Sequence, residues 1–239
     1  MEHFEGFPPA AFKFLKQLKR NNNREWFLAN KPTYEASLLA PMRLFVEEVD
    51  VLLADLAPEI SGSPKRSIFR IYRDVRFSKD KSPYKTNMGC WFTHVRAGHG
   101  VGSETHGAGA GFYFHFEPGE CMVAGGVWMP PRPALNKIRE AVDEDFAGIT
   151  KILGDKKFVK RFGELHREKP LTRVPKPFDK DHPAADLLKL VSFTVAAPIS
   201  DADVGSAKLP KRLESDLKTM LPLVRWLNGA LGFTPMTRR

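Results

Sequence analysis

The chain has no long hydrophobic run and only two cysteines. No apolar stretch in its 239 residues approaches the roughly 18 that a membrane-spanning helix needs. The N-terminus lacks the basic start and apolar core of a signal peptide, which predicts a cytoplasmic protein. Cys90 and Cys121 lie in apolar runs and outside any CxxC spacing, so we expect buried, reduced thiols rather than a disulfide framework or a zinc site.

The motifs of several familiar catalytic classes are also missing. The sequence has no HExxH zinc motif, no GxSxG nucleophile motif, and no P-loop or dinucleotide-binding glycine pattern. Four histidines, at His94, His99, His106 and His115, lie in or beside a Gly-rich stretch over residues 96–111. Their spacing matches no metal motif, so we predict neither a metal nor a cofactor.

The composition is that of an ordinary globular protein. Hydrophobic residues make up 42% of the chain and charged residues 27%, and a chain of this length can bury a core without cross-links. No Pro-, Gly- or Ser-rich linker divides it. We therefore expect a single domain over residues 1–239.

Helical spacing of apolar residues marks the two ends of the chain. In the first quarter it predicts a helix after Pro9, a short helix with Trp26, and a longer helix that Pro41 either kinks or divides. In the last third it predicts one continuous apolar stripe over residues 135–152 and a final amphipathic helix over residues 213–231.

Alternation of apolar and polar residues marks the middle of the chain. It predicts strands over residues 69–77, 88–95 and 112–116, and a turn at 117–120 joins the last of these to a hairpin partner. A further strand is expected near residues 193–197. Consecutive strands joined by turns predict an α+β fold, with a mainly antiparallel central sheet flanked by N-terminal and C-terminal helices.

Positive charge is concentrated in one short stretch. The formal net charge of the chain is +9. Residues 64–86, which we call the basic segment, hold eight lysines and arginines against two aspartates, so +6 of the excess lies there. Each close pair of like charges costs about 4 kcal/mol at ~4 Å and an effective dielectric near 20. A fold that gathers these side chains therefore needs solvent or a bound anion to offset the repulsion.

We predict that the basic segment binds a small anion, such as a phosphorylated metabolite. Arginine matches phosphate or carboxylate oxygens in pairs, and lysine adds a point charge from a flexible stem. The predicted anion-binding residues are Arg70, Arg73, Arg76, Lys79, Lys81 and Lys85. Whether such a protein is an enzyme or a receptor stays open.

Neighbouring residues suggest supporting roles. Asp74 can orient the arginines, or act as a general base if it is desolvated, and Tyr84 can position a substrate, so both are candidate catalytic residues. Strand alternation adds Tyr72 to the basic face and places Tyr113 and His115 together on a later strand.

Arg73 does not fit the alternation of the predicted strand, which would place its side chain on the apolar face. Three explanations remain open. Arg73 lies at the sheet edge, or pairs with a carboxylate such as Glu25 or Glu35, or marks a bulge.

Other interpretations of the basic segment compete with a small-anion site. A run of lysines and arginines is often just a solvated surface. Basic residues interleaved with aromatic ones also fit a groove that follows a nucleic-acid backbone, although no helix-turn-helix, zinc-finger or RNP1-like pattern is present. A third alternative is a non-enzymatic adaptor whose basic surface contacts an acidic protein.

Four stretches of the sequence resemble one bacterial family in order along the chain. They read NNNREWFLANKPTYE, FRIYRDVRFSKDKSPYKT, GFYFHFEPGECMVAGGVWMPP and DHPAADLLKLVSF, and the resemblance runs over roughly residues 4–230. The family is the conserved hypothetical family called domain of unknown function 2461 (DUF2461). RDVRFSKDKSPYKT is the most specific block. The resemblance implies a full-length α+β domain and no established activity, substrate or cofactor.

Overall fold

The computed structural model describes residues 2–76, 78–97 and 109–236. The helices are α1 (Pro9–Arg20), α2 (Arg24–Ala29), α3 (Lys31–Tyr34), α4 (Ala40–Leu56), α5 (Pro64–Ser67), α6 (Arg132–Glu144), α7 (Phe146–Leu153), α8 (Lys156–Phe162), α9 (Ala185–Leu188), α10 (Asp201–Val204) and α11 (Leu209–Ala230), with a π-helix (Glu35–Leu39) between α3 and α4. The strands are β1 (Ile60–Ser61), β2 (Met88–His94), β3 (Gly111–Phe116), β4 (Met122–Val127) and β5 (Phe193–Pro198).

The strands form one antiparallel sheet in the order β1-β2-β3-β4-β5, which confirms the predicted α+β fold. The predicted hairpin of β3 and β4 is also confirmed, with Phe114 opposite Val123. In the turn between β3 and β4, the backbone N–H of Glu120 donates to the carbonyl of Glu117 at 2.8 Å. Gly119 has φ +84°, a left-handed conformation that favours glycine.

One face of the sheet is buried, and the opposite face is partly exposed. Phe114 and Phe116 of β3 point into the core, where the Phe114 ring lies 4.6 Å from that of Phe45 on α4. Helix α11 packs across β4 on the same side. Because side chains alternate along a strand, Tyr113 and His115 lie on the opposite, partly exposed face, which we call the outer face.

The helix type changes just before Pro41. The π-helix (Glu35–Leu39) passes directly into α4 with helical backbone angles at Leu39 and Ala40, and Pro41 lies in the first turn of α4. The sequence predicted a kink or a break at Pro41, and the structure has a change from π-helix to α-helix there without a non-helical break.

The continuous apolar stripe predicted over residues 135–152 lies on two helices. Helix α6 ends at Glu144, and the side chain of Asp145 accepts a hydrogen bond from the backbone N–H of Gly148 at 3.0 Å, which starts α7. The periodicity missed this break because the apolar positions keep their spacing across it.

The regular strand predicted over residues 69–77 is wrong. Between the two arms of the basic segment, the described residues form one isolated bridge, Tyr72 to Tyr84. The backbone N–H of Arg73 donates to the carbonyl of Pro83 at 2.9 Å on one side of it, and that of Lys85 to the carbonyl of Ile71 at 2.8 Å on the other. Proline has no backbone N–H, so Pro83 cannot donate the reciprocal hydrogen bond to Arg73 that regular antiparallel pairing requires.

Aspartate side chains accept backbone hydrogen bonds where regular strand pairing is absent. Asp74 accepts from the backbone N–H of Arg76 at 3.1 Å, and Asp80 accepts from that of Ser82 at 2.9 Å. Such local turns compete with sheet pairing. The alternation of exposure survives without a strand, since Arg70, Tyr72, Asp74 and Arg76 are all exposed. The last apolar position of the pattern, residue 77, lies outside the described residues.

Both cysteines are buried free thiols, as predicted. Burial raises the pKa of Cys121 to about 12 and also raises the pKa of Cys90, so neither is a thiolate at neutral pH. A separate finding concerns membranes: among the described residues, no helix has both the length and the apolar character to cross a bilayer.

Candidate functional site

The basic segment folds over the outer face as an irregular hairpin. Its first arm is anchored to β2, because Ile68 forms a bridge with that strand and the backbone N–H of Phe69 donates to the carbonyl of Gly89 at 3.0 Å. Its second arm returns beside the first, and the N–H of Lys85 donates to the carbonyl of Ile71 at 2.8 Å.

The loop after α1 holds the second arm in place. Asn22 contacts both backbone groups of Tyr84: its Oδ1 accepts from the N–H at 3.1 Å, and its Nδ2 donates to the carbonyl at 2.9 Å. The Tyr84 ring stacks on Phe27 of α2 with ring centroids 4.1 Å apart. The N-terminal helices and the loop between them therefore fix the backbone position of Tyr84 and of the adjacent Lys85.

A cavity of about 640 Å³ lies between the basic segment, the end of α1 and the outer face of β3. This volume suits a small-molecule ligand. We call it the basic cavity. Its titratable lining residues are Lys19, Arg73, Asp80, Tyr84, Lys85, Tyr113 and His115.

Lys85 is held in the basic cavity by an aromatic ring rather than by an acidic partner. Its ammonium lies 5.3 Å from the centre of the Phe69 ring, and within the described residues it forms no ion pair with a carboxylate. Burial lowers the pKa of Lys85, and the nearby Arg70 lowers it further. A half-buried ammonium beside another cation would be stabilised by an anion.

Arg73 lines the basic cavity and forms an ion pair with Asp80, which also lines it. The hairpin brings the two arms together, so Asp80, rather than the predicted Glu25 or Glu35, is the carboxylate partner. Hydrogen bonds from Ser82, followed by Arg73, lower the pKa of Asp80 to about 2, which keeps it ionised at neutral pH.

Asp74 and Arg76 pair with each other at the surface. The shortest contact, from Arg76 Nη2 to Asp74 Oδ2, is 2.7 Å, and both side chains are exposed. Hydrogen bonds from Arg76 lower the pKa of Asp74 to about 2. A role as a general base requires Asp74 to be buried, and it is exposed. Its pairing with Arg76 matches the predicted role in orienting an arginine.

The remaining predicted cations are exposed and are not part of the cavity lining. Lys81 Nζ donates to the carbonyl of Val75 at 2.9 Å, and the side chains of Arg70 and Lys79 are exposed to solvent. Of the six predicted anion-binding residues, the basic cavity thus brings together Arg73 and Lys85.

The two tyrosines of the basic segment occupy different environments. Tyr84 is buried and lines the basic cavity, whereas Tyr72 is 56% exposed, with its ring centroid 5.5 Å from that of Tyr84. Burial, followed by the nearby Tyr72, raises the pKa of Tyr84, so its hydroxyl stays protonated at neutral pH.

A chain of polar contacts connects three lining residues of the basic cavity through Glu117, which lies outside the lining. The hydroxyl of Tyr113 lies 2.9 Å from His115 Nδ1, and Nε2 of the same ring lies 3.6 Å from Glu117 Oε2. The other oxygen of Glu117 is 3.2 Å from Lys19 Nζ. We call these four residues the polar array.

Burial sets the protonation of the two central groups of the polar array. It lowers the pKa of His115, and the carboxylates of Glu117 and Glu120 offset only part of that effect. Burial also raises the pKa of Tyr113. At neutral pH the structure therefore holds a neutral imidazole beside a protonated phenol.

Sequence reasoning missed Lys19 and Glu117. Lys19 lies far before the basic segment in an ordinary helical pattern, and no local signal links the two. The sequence predicts only a turn at Glu117, although this residue lies two positions after His115, on the same side of an extended chain. That spacing was an available signal.

The described residues contain no group of three or more histidine, cysteine, aspartate or glutamate side chains that could hold a metal ion. His94 is buried, and its Nε2 lies 3.0 Å from the carbonyl of Thr234. His99 and His106, together with most of the Gly-rich stretch, lie outside the described residues.

Comparison with known proteins identifies a family. The family model described as conserved hypothetical protein (DUF2461) matches residues 10–226, a range that includes every residue lining the basic cavity. A search of curated proteins and a search of solved structures found no match.

Proposed function

The chain belongs to the DUF2461 family of conserved hypothetical proteins, and on that premise we propose that it binds a small phosphorylated or otherwise anionic metabolite in the basic cavity. The observation that carries the proposal is the half-buried ammonium of Lys85, which faces the basic cavity near Arg70 and forms no ion pair with a carboxylate of the described chain. Arg73 and Lys19 add positive charge to the same lining. An enzyme and a receptor are both compatible with this arrangement.

The test measures binding of inorganic phosphate and a panel of phosphorylated metabolites by thermal shift and calorimetry. A ligand at 100 times its Kd adds roughly 2.7 kcal/mol of stability. We expect Lys85→Met to weaken binding by about tenfold or more, since a hydrogen bond to a charged group contributes about 1.5–3 kcal/mol.

The matched control for charge is Lys151→Met, which removes one exposed lysine from α7, away from the basic cavity. It should bind the same ligands as the unmodified protein. If no phosphorylated compound binds, or if both variants weaken binding equally, the proposed site is wrong.

Nucleic-acid binding is the second candidate function, and one observation favours it. Lys79, Lys81 and the largely exposed ring of Tyr72 lie outside the basic cavity, where a nucleic-acid backbone and a stacked base could reach them. Single- and double-stranded oligonucleotides tested at several salt concentrations decide it, because phosphate-backbone contacts weaken steeply as salt rises. The double variant Lys79→Ala with Lys81→Ala should reduce oligonucleotide binding and leave phosphate binding unchanged. If neither phosphorylated metabolites nor oligonucleotides bind, the result would favour a non-enzymatic adaptor whose basic surface contacts an acidic protein.

A further inference from the structure

The charges of the basic cavity are mostly paired. Arg73 pairs with Asp80 and Lys19 with Glu117, which leaves Lys85 as the lining cation without a carboxylate partner among the described residues, with the exposed Arg70 nearby. A phosphate monoester carries a charge between about −1.5 and −2 at pH 7, and further positive charge in the lining would strengthen its binding. Within the lining, His115 is the group that can gain a positive charge near neutral pH.

The hydrogen positions in the polar array follow from its acceptors. The carboxylate of Glu117 can only accept, so the hydrogen of the neutral imidazole belongs on Nε2, which faces that carboxylate. Nδ1 of His115 is then an acceptor, and the hydroxyl of Tyr113 donates to it at 2.9 Å. In this state the hydroxyl hydrogen of Tyr113 is not available to a ligand in the basic cavity.

Protonation of His115 reverses that hydrogen bond. Nδ1 gains a hydrogen and donates to the oxygen of Tyr113, and the Tyr113 hydroxyl hydrogen is released to donate elsewhere. Both side chains line the basic cavity, and the Tyr113 ring contacts the Phe69 ring on which Lys85 rests, with centroids 5.7 Å apart. Lys85 and Tyr113 therefore contact the same ring and line the same cavity.

We propose that the basic cavity selects dianionic phosphate esters through proton uptake: His115 gains a proton as the anion binds, and the Tyr113 hydroxyl turns from the imidazole to the anion. The proton comes from solvent, and Glu117, held by Lys19, stabilises the imidazolium. This inference rests on the proposed function, because it requires an anion in the basic cavity.

The charged groups around the imidazole act in opposite directions. Glu117 and Glu120 in the turn favour the imidazolium, whereas burial disfavours it. Lys85 and Arg73 are cations in the lining of the same cavity, and a bound anion would offset their charge. Lys19 acts on His115 through its contact with Glu117. The strand neighbours of His115 in the sheet, Gly89 and Met122, are not titratable.

Calorimetry in two buffers with different ionisation enthalpies measures the protons taken up on binding. Sulfate is the first probe, because it does not itself titrate near neutral pH, and inorganic phosphate is the second. Near pH 7 we expect net proton uptake, up to one proton per sulfate, in the unmodified protein. We expect no uptake in His115→Gln, with weaker binding that no longer depends on pH. The control His3→Gln, which changes an exposed histidine, should keep the full uptake.

Two further variants separate this coupling from a structural role. Glu117→Gln removes a negative charge beside the basic cavity, so it should bind sulfate more tightly at alkaline pH while taking up fewer protons. Damage to the structure would instead weaken binding. Tyr113→Phe should weaken sulfate binding by about tenfold, since it removes one donor to a charged ligand.

The outcomes distinguish this inference from the proposed function. Absence of any sulfate or phosphate binding overturns both. Binding without proton uptake in the unmodified protein overturns the inference alone. If His115→Gln does not fold, the pH titration of the imidazole resonances of the unmodified protein decides the question. The pKa of His115 must rise when sulfate is added, and an unchanged titration contradicts the proposal.

Discussion

Gly89 is the residue whose small size leaves room for the polar array. It lies opposite His115 in the sheet, and a Cβ at this position would lie 2.6 Å from the Tyr113 hydroxyl and 3.0 Å from the carbonyl of Phe114. We expect Gly89→Ala to destabilise the protein by about 1–3 kcal/mol and to weaken phosphate binding, because Tyr113 must move. Urea unfolding and calorimetry measure the two effects.

Gly229 provides the matched control for that substitution. It lies within α11, and a Cβ added there would meet no atom within 4 Å among the described residues beyond its own helical backbone. Gly229→Ala should therefore be neutral, or stabilise the helix by up to about 1 kcal/mol. Equal destabilisation by both substitutions would contradict the role given to Gly89.

The elements that the sequence predicted correctly are those whose hydrogen bonds follow their apolar pattern. Strands β2 and β3 have a two-residue period, and regular pairing satisfies their backbone groups. Residues 69–77 have the same period, but Pro83 and the side chains of Asp74 and Asp80 redirect the hydrogen bonds. Periodicity reports which side chains are buried, and it does not report where backbone donors go.

The irregular hairpin depends on one asparagine outside it. Asn22 holds both backbone groups of Tyr84, which precedes Lys85. We expect Asn22→Ala to destabilise the protein by about 1–3 kcal/mol, because two backbone groups lose their partner. We also expect faster hydrogen exchange at the amides of Tyr84 and Lys85, measured by mass spectrometry, and weaker phosphate binding.

The neighbouring Asn21 is the control for the hairpin. It is exposed, and its side chain donates to the carbonyl of Gln17 within the same helical end, away from the second arm. Asn21→Ala should leave exchange at Tyr84 unchanged. A hairpin that stays protected in Asn22→Ala would mean that the Tyr84 and Phe27 stacking alone anchors the arm.

At the scale of the whole molecule, the sequence predicted the location of positive charge and not its pairing. The excess over residues 64–86 is evident from composition, but the fold pairs Arg73 and Arg76 with aspartates inside the same segment. It then adds Lys19, whose place beside Glu117 depends on how α1 packs on the sheet. These two residues are 98 positions apart, and a contact over such a separation carries no local sequence signal.

The pH dependence of stability tests the protonation state that the whole fold imposes on His115. Burial lowers the pKa of this residue below its ordinary value near 6.5, so the unfolded chain binds the proton first as pH falls. The stabilising contribution is complete above pH ~6.5 and is lost as pH falls toward the folded pKa. In anion-free buffer we therefore expect the free energy of unfolding to decrease between about pH 7.5 and about pH 5.5.

The same measurement separates His115 from the carboxylates and from the bound anion. Asp74 and Asp80 have pKa values of about 2 in the fold, so their contributions are lost only well below this window. His115→Gln should flatten the pH dependence, and excess sulfate should reduce it in the unmodified protein, because the anion favours the imidazolium. A free energy that stays constant or rises as the pH falls would show that the fold does not hold His115 neutral, and the proton uptake proposed for anion binding would lose its basis.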